Sequence, residues 1–507
     1  MWRHAAMTVE PELAADPSRS GLISRSHLGI EPFALARPAS LADAAANVVS
    51  GAWAHAGGID VAQRLRDGGQ APALVPLRQA GRGSGSDLDV LTDISLRDGA
   101  LFIGAAVTHA HIESDALVRA HRPDLAAAWR TIGNVRIRIA GTVGGNLMSL
   151  NPGYDAAPIL AAAGAELVFV DPDGGEQRCS VADRVAGRLL VGCQVPLEGR
   201  VVFDRSLKPV ASVAVGDRHA AIGCAYRDVE VIELDIGADG TVDLDVLRAG
   251  LDPLGEPLDN ADASSGYRRR VIEVLIERCA QAHARGGSAS AGSGGGEPSA
   301  TDLPRRPNAV PAGLRDQAAA LPDDSHAAGD AGSVELRLHL NGEPFEAAAP
   351  ASEMLVETIR SRAGLGGTRV GCDQAVCGAC TVLVDGLPTA SCSTFAWQAA
   401  GCDIHTIEAA NESPSVDPAG SLPAVMRAVQ QTFATASAFQ CGYCTPGLIL
   451  TASSLLAHDQ EPDRSTIVDW LDSNICRCTG YLMVIEAIEA AGAALRSRSD
   501  AHPEPAP

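Results

Sequence analysis

Eight of the chain's thirteen cysteines fall into two sets whose spacing suits metal binding. The first is Cys372, Cys377 and Cys380, a C-x4-C-x2-C run, followed by Cys392. Four thiolates in this pattern match the plant-type ligation of a 2Fe–2S cluster. Sulfur ligands stabilise ferric and ferrous iron alike. Gly371, Gly378 and Ala379 leave room for a tight loop whose backbone N–H groups point at sulfur. A structural zinc site or free thiols are the alternatives, and this spacing is poor for a zinc ribbon. The second set is Cys441-x2-Cys444 with Cys476-x-Cys478. Alone, this pair of pairs also suits zinc; beside a ferredoxin-type loop, a second iron–sulfur cluster is expected. Cys444 precedes a helix starting near Pro446, and Cys476 and Cys478 precede Thr479 and a last helix, so helix N-termini are expected to favour the thiolate charge. Cys179, Cys193, Cys224, Cys279 and Cys402 have no metal-like spacing and read as buried small hydrophobes.

Two glycine loops carry a different chemistry. Ala56-Gly57-Gly58-Ile59-Asp60 and, after Gly141, Thr142-Val143-Gly144-Gly145-Asn146 present backbone N–H groups to phosphate, an anion nest that needs no lysine. Neither is a P-loop or a G-x-G-x-x-G fingerprint, so Walker and Rossmann sites are not supported. Taken singly, each loop is a weak signal and reads first as an ordinary turn. His109, His111 and His405 are isolated and read as core or surface residues.

The elements that must position these groups follow from composition and periodicity. The 507 residues suit two to four domains, and 46% hydrophobic against 20% charged residues excludes whole-chain disorder. The formal charge of −22 argues against nucleic-acid binding through phosphate attraction. No stretch reaches the roughly 18 apolar residues of a membrane span. Residues 1–21 lack the apolar core of a secretory leader, so a cytoplasmic protein is expected. The pattern reads as α+β. Strands are expected at 73–77, 101–106 and 166–170, helices at 41–49, 156–163 and 267–283, and an alternating stretch at 229–236. Residues 334–340 alternate in the strand period and run into Asn341-Gly342, a type I′ hairpin signal. A helix is expected at 352–363, then four more around 423–434, 446–457, 464–472 and 480–495. The Gly/Ser/Ala/Pro-rich stretch 286–332 reads as a flexible linker.

Residues 334–494 resemble the small iron–sulfur subunit of the molybdenum hydroxylase family, which includes xanthine dehydrogenase and aerobic carbon monoxide dehydrogenase. The resemblance lies in Gly371-Cys372-Asp373-Gln374 through Cys380-Thr381-Val382, in Gln440-Cys441-Gly442-Tyr443-Cys444-Thr445-Pro446-Gly447, and in Asn474-Ile475-Cys476-Arg477-Cys478-Thr479-Gly480-Tyr481. Residues from about 30 to 280 resemble the flavin-binding medium subunit of the same family. That subunit grips the FAD pyrophosphate with two such glycine loops, and 262–268 resembles its C-terminal domain. Composition marks a polar tail (1–26) and the linker (286–332), and between them the resemblance implies an FAD-binding domain (27–203) and an α/β flavoprotein C-terminal domain (204–285). Beyond these it implies a ferredoxin-like β-grasp 2Fe–2S domain (333–410), a four-helix 2Fe–2S domain (411–496) and a tail (497–507). Its cofactors would be FAD and two 2Fe–2S clusters, with molybdopterin on a partner large subunit and a heterotetramer as the assembly it allows. Asp155 falls at a family FAD-contact position, and Gln440 and Cys478 at positions that approach the pterin. A basic FAD contact is expected from Arg205 or Lys208. Ile59 and Ile139 depart from the family pattern and are expected to alter the flavin environment.

The function so implied is electron transfer from the molybdopterin partner through the two clusters to FAD and an external acceptor. The 29 residues after Cys478 leave no room for a pterin domain, so the substrate site is expected on another chain. The rival readings are a stand-alone electron carrier or redox sensor and a scaffold that folds without flavin.

Overall fold

A computed structural model describes residues 29–78, 86–206, 210–286, 333–411 and 421–501. The expected polar tail, Lys208 and the linker from 287 onward lie outside the described residues.

The flavin half opens with β1 (Ala34–Leu35), α1 (Leu41–Val49), β2 (Trp53–His55), α2 (Ile59–Arg66) and β3 (Ala73–Pro76), the strands forming a parallel sheet in the order β1-β3-β2. Ser40 caps α1 by accepting from the Asp43 N–H at 3.1 Å. An antiparallel sheet follows, built from β4 (Ile94–Arg97), β5 (Ala100–Gly104), β6 (Glu166–Val170), β7 (Glu176–Ser180) and β8 (Leu189–Pro196) in the order β4-β5-β8-β6-β7. Between β5 and β6 the chain is helical, and this stretch contains α3 (Val135–Ala140), α4 (Val143–Met148) and α5 (Ala156–Ala162). A third sheet, all antiparallel, holds β9 (Val202–Arg205), β10 (Ser212–Val215), β11 (His219–Gly223) and β12 (Glu230–Glu233). The helices α6 (Leu244–Leu251) and α7 (Ser265–Ala284) cover it, with Leu247, Ile272 and Ile276 in its core. A division at 203/204 passes through β9, whose pairing with β10 places it with the third sheet.

The second half begins with the hairpin β13 (Ser333–Leu340) and β14 (Glu343–Pro350). Val334, Leu336, Leu338 and Leu340 are all buried, as the alternation requires. Asn341 and Gly342 both take positive φ, 55° and 86°, the type I′ geometry. The strands β15 (Thr381–Val384), β16 (Leu387–Ala390) and β17 (Asp403–His405) complete a mixed sheet in the order β14-β13-β17-β15-β16. The helix expected at 352–363 is one α turn, Leu355–Glu357, running into a π turn, Thr358–Arg362. Four helices follow: α8 (Leu422–Thr435), α9 (Thr445–His458), α10 (Arg464–Leu471) and α11 (Leu482–Ala501). The last reaches further than the 480–495 pattern indicates.

The two halves share hydrophobic cores. Phe33, Leu65 and Leu74 pack in one cluster with Leu336, Met354, Phe395 and Trp397. Val135 and Ile139 pack in another with Leu387, Val425 and Trp470. The two halves are therefore joined by buried apolar surface.

Candidate functional site

The loop after the π turn gathers the first cysteine set. Asp373 and Ala375 take left-handed φ, 58° and 59°, which turns successive backbone N–H groups toward sulfur. Gln374, Val376 and Cys377 donate to Cys372 Sγ at 3.3, 3.3 and 3.2 Å. Cys372 N–H donates to Cys377 Sγ at 3.3 Å, and Ala375 N–H to Cys392 Sγ at 3.4 Å. The thiols meet in pairs, Cys372 with Cys377 and Cys380 with Cys392. The Cys372 partner draws Cys377 down to about 6. A Cβ on Gly371 would come within 2.9 Å of Cys377 Sγ, so a side chain there would crowd the thiol. Among the described residues no three His, Cys, Asp or Glu side chains converge as one metal ion needs. Thiols gathered two by two, with inward N–H groups, suit a two-iron cluster.

The second set also forms two pairs, Cys441 with Cys478 and Cys444 with Cys476. Cys444 is the N-cap of α9, as its position before Pro446 indicates. Cys476 and Cys478 do not stand at a helix start. Gly480 and Tyr481 turn the chain through positive φ, 67° and 69°, and α11 begins only at Leu482. Cys476 Sγ lies 3.1 Å from Thr479 Oγ1, while the Tyr481 hydroxyl accepts from Cys476 N–H at 2.7 Å. Gln440 Nε2 donates to the Cys478 carbonyl at 3.2 Å, and Cys441 and Cys478 are exposed.

Both glycine loops line one cavity of about 560 Å³ in the flavin half. Ala56, Gly57, Gly58, Ile59, Asp60, Thr142, Gly144, Gly145, Asn146 and Asp155 border it, and Val143 is buried behind them. Two of the glycines are needed for close approach. A Cβ on Gly57 would collide with the Ala140 carbonyl, and one on Gly144 would come within 2.8 Å of the Ala105 carbonyl. Gly145 differs: only Thr142 Oγ1, at 3.1 Å, lies near its Cβ position, so a side chain there enters the cavity. Asn146 Oδ1 accepts from Ala156 N–H at 3.1 Å and so fixes the start of α5 beside Asp155. Arg205 Nη1 donates to Asp155 Oδ2 at 2.8 Å, while Asp155 Oδ1 is buried without a well-formed hydrogen bond. Burial raises the Asp155 carboxyl above its usual range, against the pull of Arg205. A cradle of glycine N–H groups beside a buried carboxylate fits a dinucleotide such as FAD. Of the two basic candidates, Arg205 borders the cavity.

Ile59 opens α2 and faces the cavity, but Ile139 does not: it is buried on the far side of α3, against the iron–sulfur half. Three cavity residues escaped sequence reasoning. Tyr154 donates to Asp60 Oδ1 at 3.1 Å; its place between Gly153 and Asp155 was the available signal. Arg64 stacks over the Trp53 ring at 4.2 Å. His109, read from the sequence as a bystander, lines the cavity next to Gly141. Its Nδ1 accepts from the donor-only Trp129 indole N–H at 3.0 Å, which leaves the ring proton on Nε2. Burial and the charge of Arg138 depress its pKa to about 3, so the ring is neutral.

One helix joins the cavity to the first thiol set. α2 is N-capped by Gly58 of the glycine loop and ends at Arg66, whose guanidinium bonds the Asp373 carbonyl at 2.9 Å and the Cys392 carbonyl. Arg66 also pairs with the Asp373 carboxylate at 3.3 Å. His55, behind Gly58, is buried against Phe395 and Trp397 with ring centroids at 5.8 and 5.0 Å. On α3, Arg138 pairs with Asp469 of α10 at 2.7 Å.

Comparison with known proteins agrees with this layout. Residues 31–190 match the family of the FAD binding domain in molybdopterin dehydrogenase. Residues 338–401 match the 2Fe-2S iron-sulfur cluster binding domain, and 407–489 the 2Fe-2S binding domain. The iron–sulfur half is 35% identical over 155 residues to the nicotine 6-hydroxylase small subunit of Paenarthrobacter nicotinovorans, covering 31% of this chain and 87% of that protein. It is 38% identical over 160 residues to the nicotinate dehydrogenase small FeS subunit of Eubacterium barkeri (31% and 94%). Against the xanthine dehydrogenase iron-sulfur-binding subunit of Escherichia coli it is 36% identical over 158 residues (31% and 92%). The chain belongs to the xanthine dehydrogenase family of iron–sulfur oxidoreductase components, here with an FAD-binding domain fused ahead of the two 2Fe–2S domains. Among the described residues no helix is long and apolar enough to cross a membrane.

Proposed function

We propose that this chain is the electron-transfer component of a molybdenum hydroxylase, working in the cytoplasm with a molybdopterin-binding large subunit in a heterotetramer. Its finer architecture is then an FAD-binding domain with an α/β C-terminal domain, a ferredoxin-like β-grasp domain and a four-helix domain. When bound, the two 2Fe–2S clusters and FAD supply the redox chemistry that carries electrons from the partner to an external acceptor.

The residues of the chain bind and position. Cys372, Cys377, Cys380 and Cys392 would hold the ferredoxin-type cluster, and Cys441, Cys444, Cys476 and Cys478 the second. The N–H groups of Gly57, Gly58, Gly144 and Gly145 would receive the FAD diphosphate. The Asp155–Arg205 pair would offer FAD one acceptor and one cation, and the His109 Nε2–H a neutral donor. Gln440, bonded to the Cys478 carbonyl, would face the partner. A single observation carries the reading: α2 runs from the glycine loop at Gly58 to Arg66 on the Cys392 carbonyl. One rigid element thus spans the flavin cavity and the first thiol set.

Metal analysis of anaerobically purified protein tests it. About four iron atoms and four labile sulfides per chain are expected, as two clusters. Cys372→Ser and Cys476→Ser should each remove a different cluster signal. Stoichiometric zinc with little iron would overturn the assignment, and loss of one shared signal would overturn the partition of ligands. Co-purification of a large subunit bearing molybdopterin separates this reading from a stand-alone carrier.

A further inference from the structure

We propose that Arg136, a residue of the flavin half, is the counter-charge of the ferredoxin-type cluster and raises that cluster's reduction potential. The inference rests on the assignment of Cys372, Cys377, Cys380 and Cys392 made above.

Arg136 lies on α3, one turn before the second glycine loop, and is 1% exposed. Its guanidinium leaves the flavin half altogether. It donates to Thr381 Oγ1 at 3.2 Å, to the Ala375 and Val376 carbonyls at 3.4 and 3.2 Å, and to the Ser473 carbonyl. Ala375 and Val376 sit between Cys372 and Cys377, and Thr381 follows Cys380. The fork therefore closes on the loop that carries the thiols, and Ser473 ties it to the segment leading to Cys476.

None of these acceptors is charged. The other buried arginines of this region and its surroundings hold carboxylates: Arg66 with Asp373, Arg122 with Asp124, Arg138 with Asp469 and Arg184 with Asp228. Arg268 does not; the Val210 and Cys224 carbonyls and Asn260 Oδ1 hold it. Neutral oxygens alone can therefore retain a buried guanidinium, and what sets Arg136 apart is where its charge lies. A buried cation without a carboxylate is costly unless an anion shares its low-dielectric surroundings. Two ferric ions, two sulfides and four thiolates sum to a dianion, and reduction adds one more negative charge. A fixed cation beside that loop favours the reduced cluster over the oxidised one, which moves its potential upward. Arg66 also reaches this loop, but its pairing with Asp373 cancels most of its field.

The test is an EPR-monitored redox titration of the full chain carrying FAD and both clusters, comparing wild type, Arg136→Gln and Arg136→Lys. The ferredoxin-type signal is the one that Cys372→Ser removes. In Arg136→Gln we expect its midpoint to fall by about 59 mV or more, a tenfold change in the reduced-to-oxidised ratio at fixed potential. Arg136→Lys should stay near wild type, and the other cluster's midpoint should not move. An unchanged midpoint in Arg136→Gln overturns the proposal. So does a Lys variant shifted as far as Gln, because the fork's geometry rather than its charge would then be acting. If Arg136→Gln does not retain the cluster, retention in Arg136→Lys supports the counter-charge and loss in both overturns it. A wild-type chain with neither signal would instead remove the cluster assignment itself.

Discussion

Arg66 and Asp373 form a buried ion pair at 3.3 Å, with the last residue of a flavin-half helix bonded to the loop that carries the first cysteine set. Both side chains are 2% exposed or less, and they stand 307 positions apart in the chain. Removing one partner of such a pair strands the other charge in a poor solvent for it. Arg66→Ala should therefore cost about 3–5 kcal/mol at the contact between the halves. To measure it, a protease site is placed in the 287–332 segment and the cut protein is run by size exclusion. Wild-type halves should co-elute because they share apolar cores, and Arg66→Ala halves should separate at lower denaturant. Equal dissociation midpoints would mean that the pair does not hold the interface.

Gly145→Asp tests the cavity without breaking its walls. The Cβ position is open toward the cavity, and an acidic residue in the first turn of α4 is compatible with a helix N-terminus. A carboxylate a few ångströms from a diphosphate is repelled by roughly 1–4 kcal/mol in moderately screened surroundings. FAD affinity should fall about fivefold or more, with both clusters retained. The contrast is Gly57→Ala, where the new methyl meets the Ala140 carbonyl and the fold itself should suffer. Flavin content at the wild-type level in folded Gly145→Asp would remove this loop from the FAD site.

Much of this layout is legible in the sequence, and the reasons are local. Alternation in 334–340, Asn341-Gly342 and the cap at Cys444 are short-range codes, and each appears where the pattern puts it. The π turn at Thr358–Arg362 was not legible, because only the hydrogen-bond ladder distinguishes it from an α-helix. The loop that holds Cys476 and Cys478 away from α11 depends on positive φ at Tyr481, which no residue type announces. His109 looked idle because its role depends on Trp129 and Gly141, brought beside it by the fold. Arg66 and Arg136 look like ordinary helix-surface charges; only the packing of the two halves turns them inward.

Two buried histidines predict the acid response. Burial, with nearby arginine charge (Arg78 for His55, Arg138 for His109), lowers both from 6.5 to about 3. A histidine whose folded pKa is depressed is neutral in the fold and takes a proton only on unfolding. Its contribution is therefore complete above the unfolded pKa and is lost as pH falls from 6.5 toward 3. Each histidine should make stability fall by about 1.4 kcal/mol per pH unit in that window. His109→Gln keeps an acceptor for the Trp129 indole and removes one titration. Denaturant unfolding followed by tryptophan fluorescence between about pH 6.5 and 5 should show a slope smaller by that amount. Parallel slopes for mutant and wild type would mean that His109 is protonated in the fold.

The last prediction concerns the surface from which electrons are proposed to enter. Cys441 and Cys478 are exposed, and within four residues of one or the other in the chain are Phe439, Tyr443, Ile475 and Leu482, apolar side chains between 44% and 57% exposed. Exposed apolar groups beside a redox centre suit a partner interface better than open solvent. Gln440 lies in this surface and donates to the Cys478 carbonyl at 3.2 Å. Gln440→Glu loses that donor and sets a carboxylate against a carbonyl oxygen. In a covered interface the new charge would also have to be desolvated, at a cost of a few kcal/mol. The second cluster should still assemble, since Gln440 contributes no thiol. Assembly with the large subunit should weaken, or substrate-driven flavin reduction should slow, while flavin reduction by a small external donor stays at the wild-type rate. Stopped-flow flavin absorbance in the reconstituted complex, run with substrate and then with the external donor, separates the two. Equal substrate-driven rates and equal subunit affinity in mutant and wild type would place the partner elsewhere on the chain.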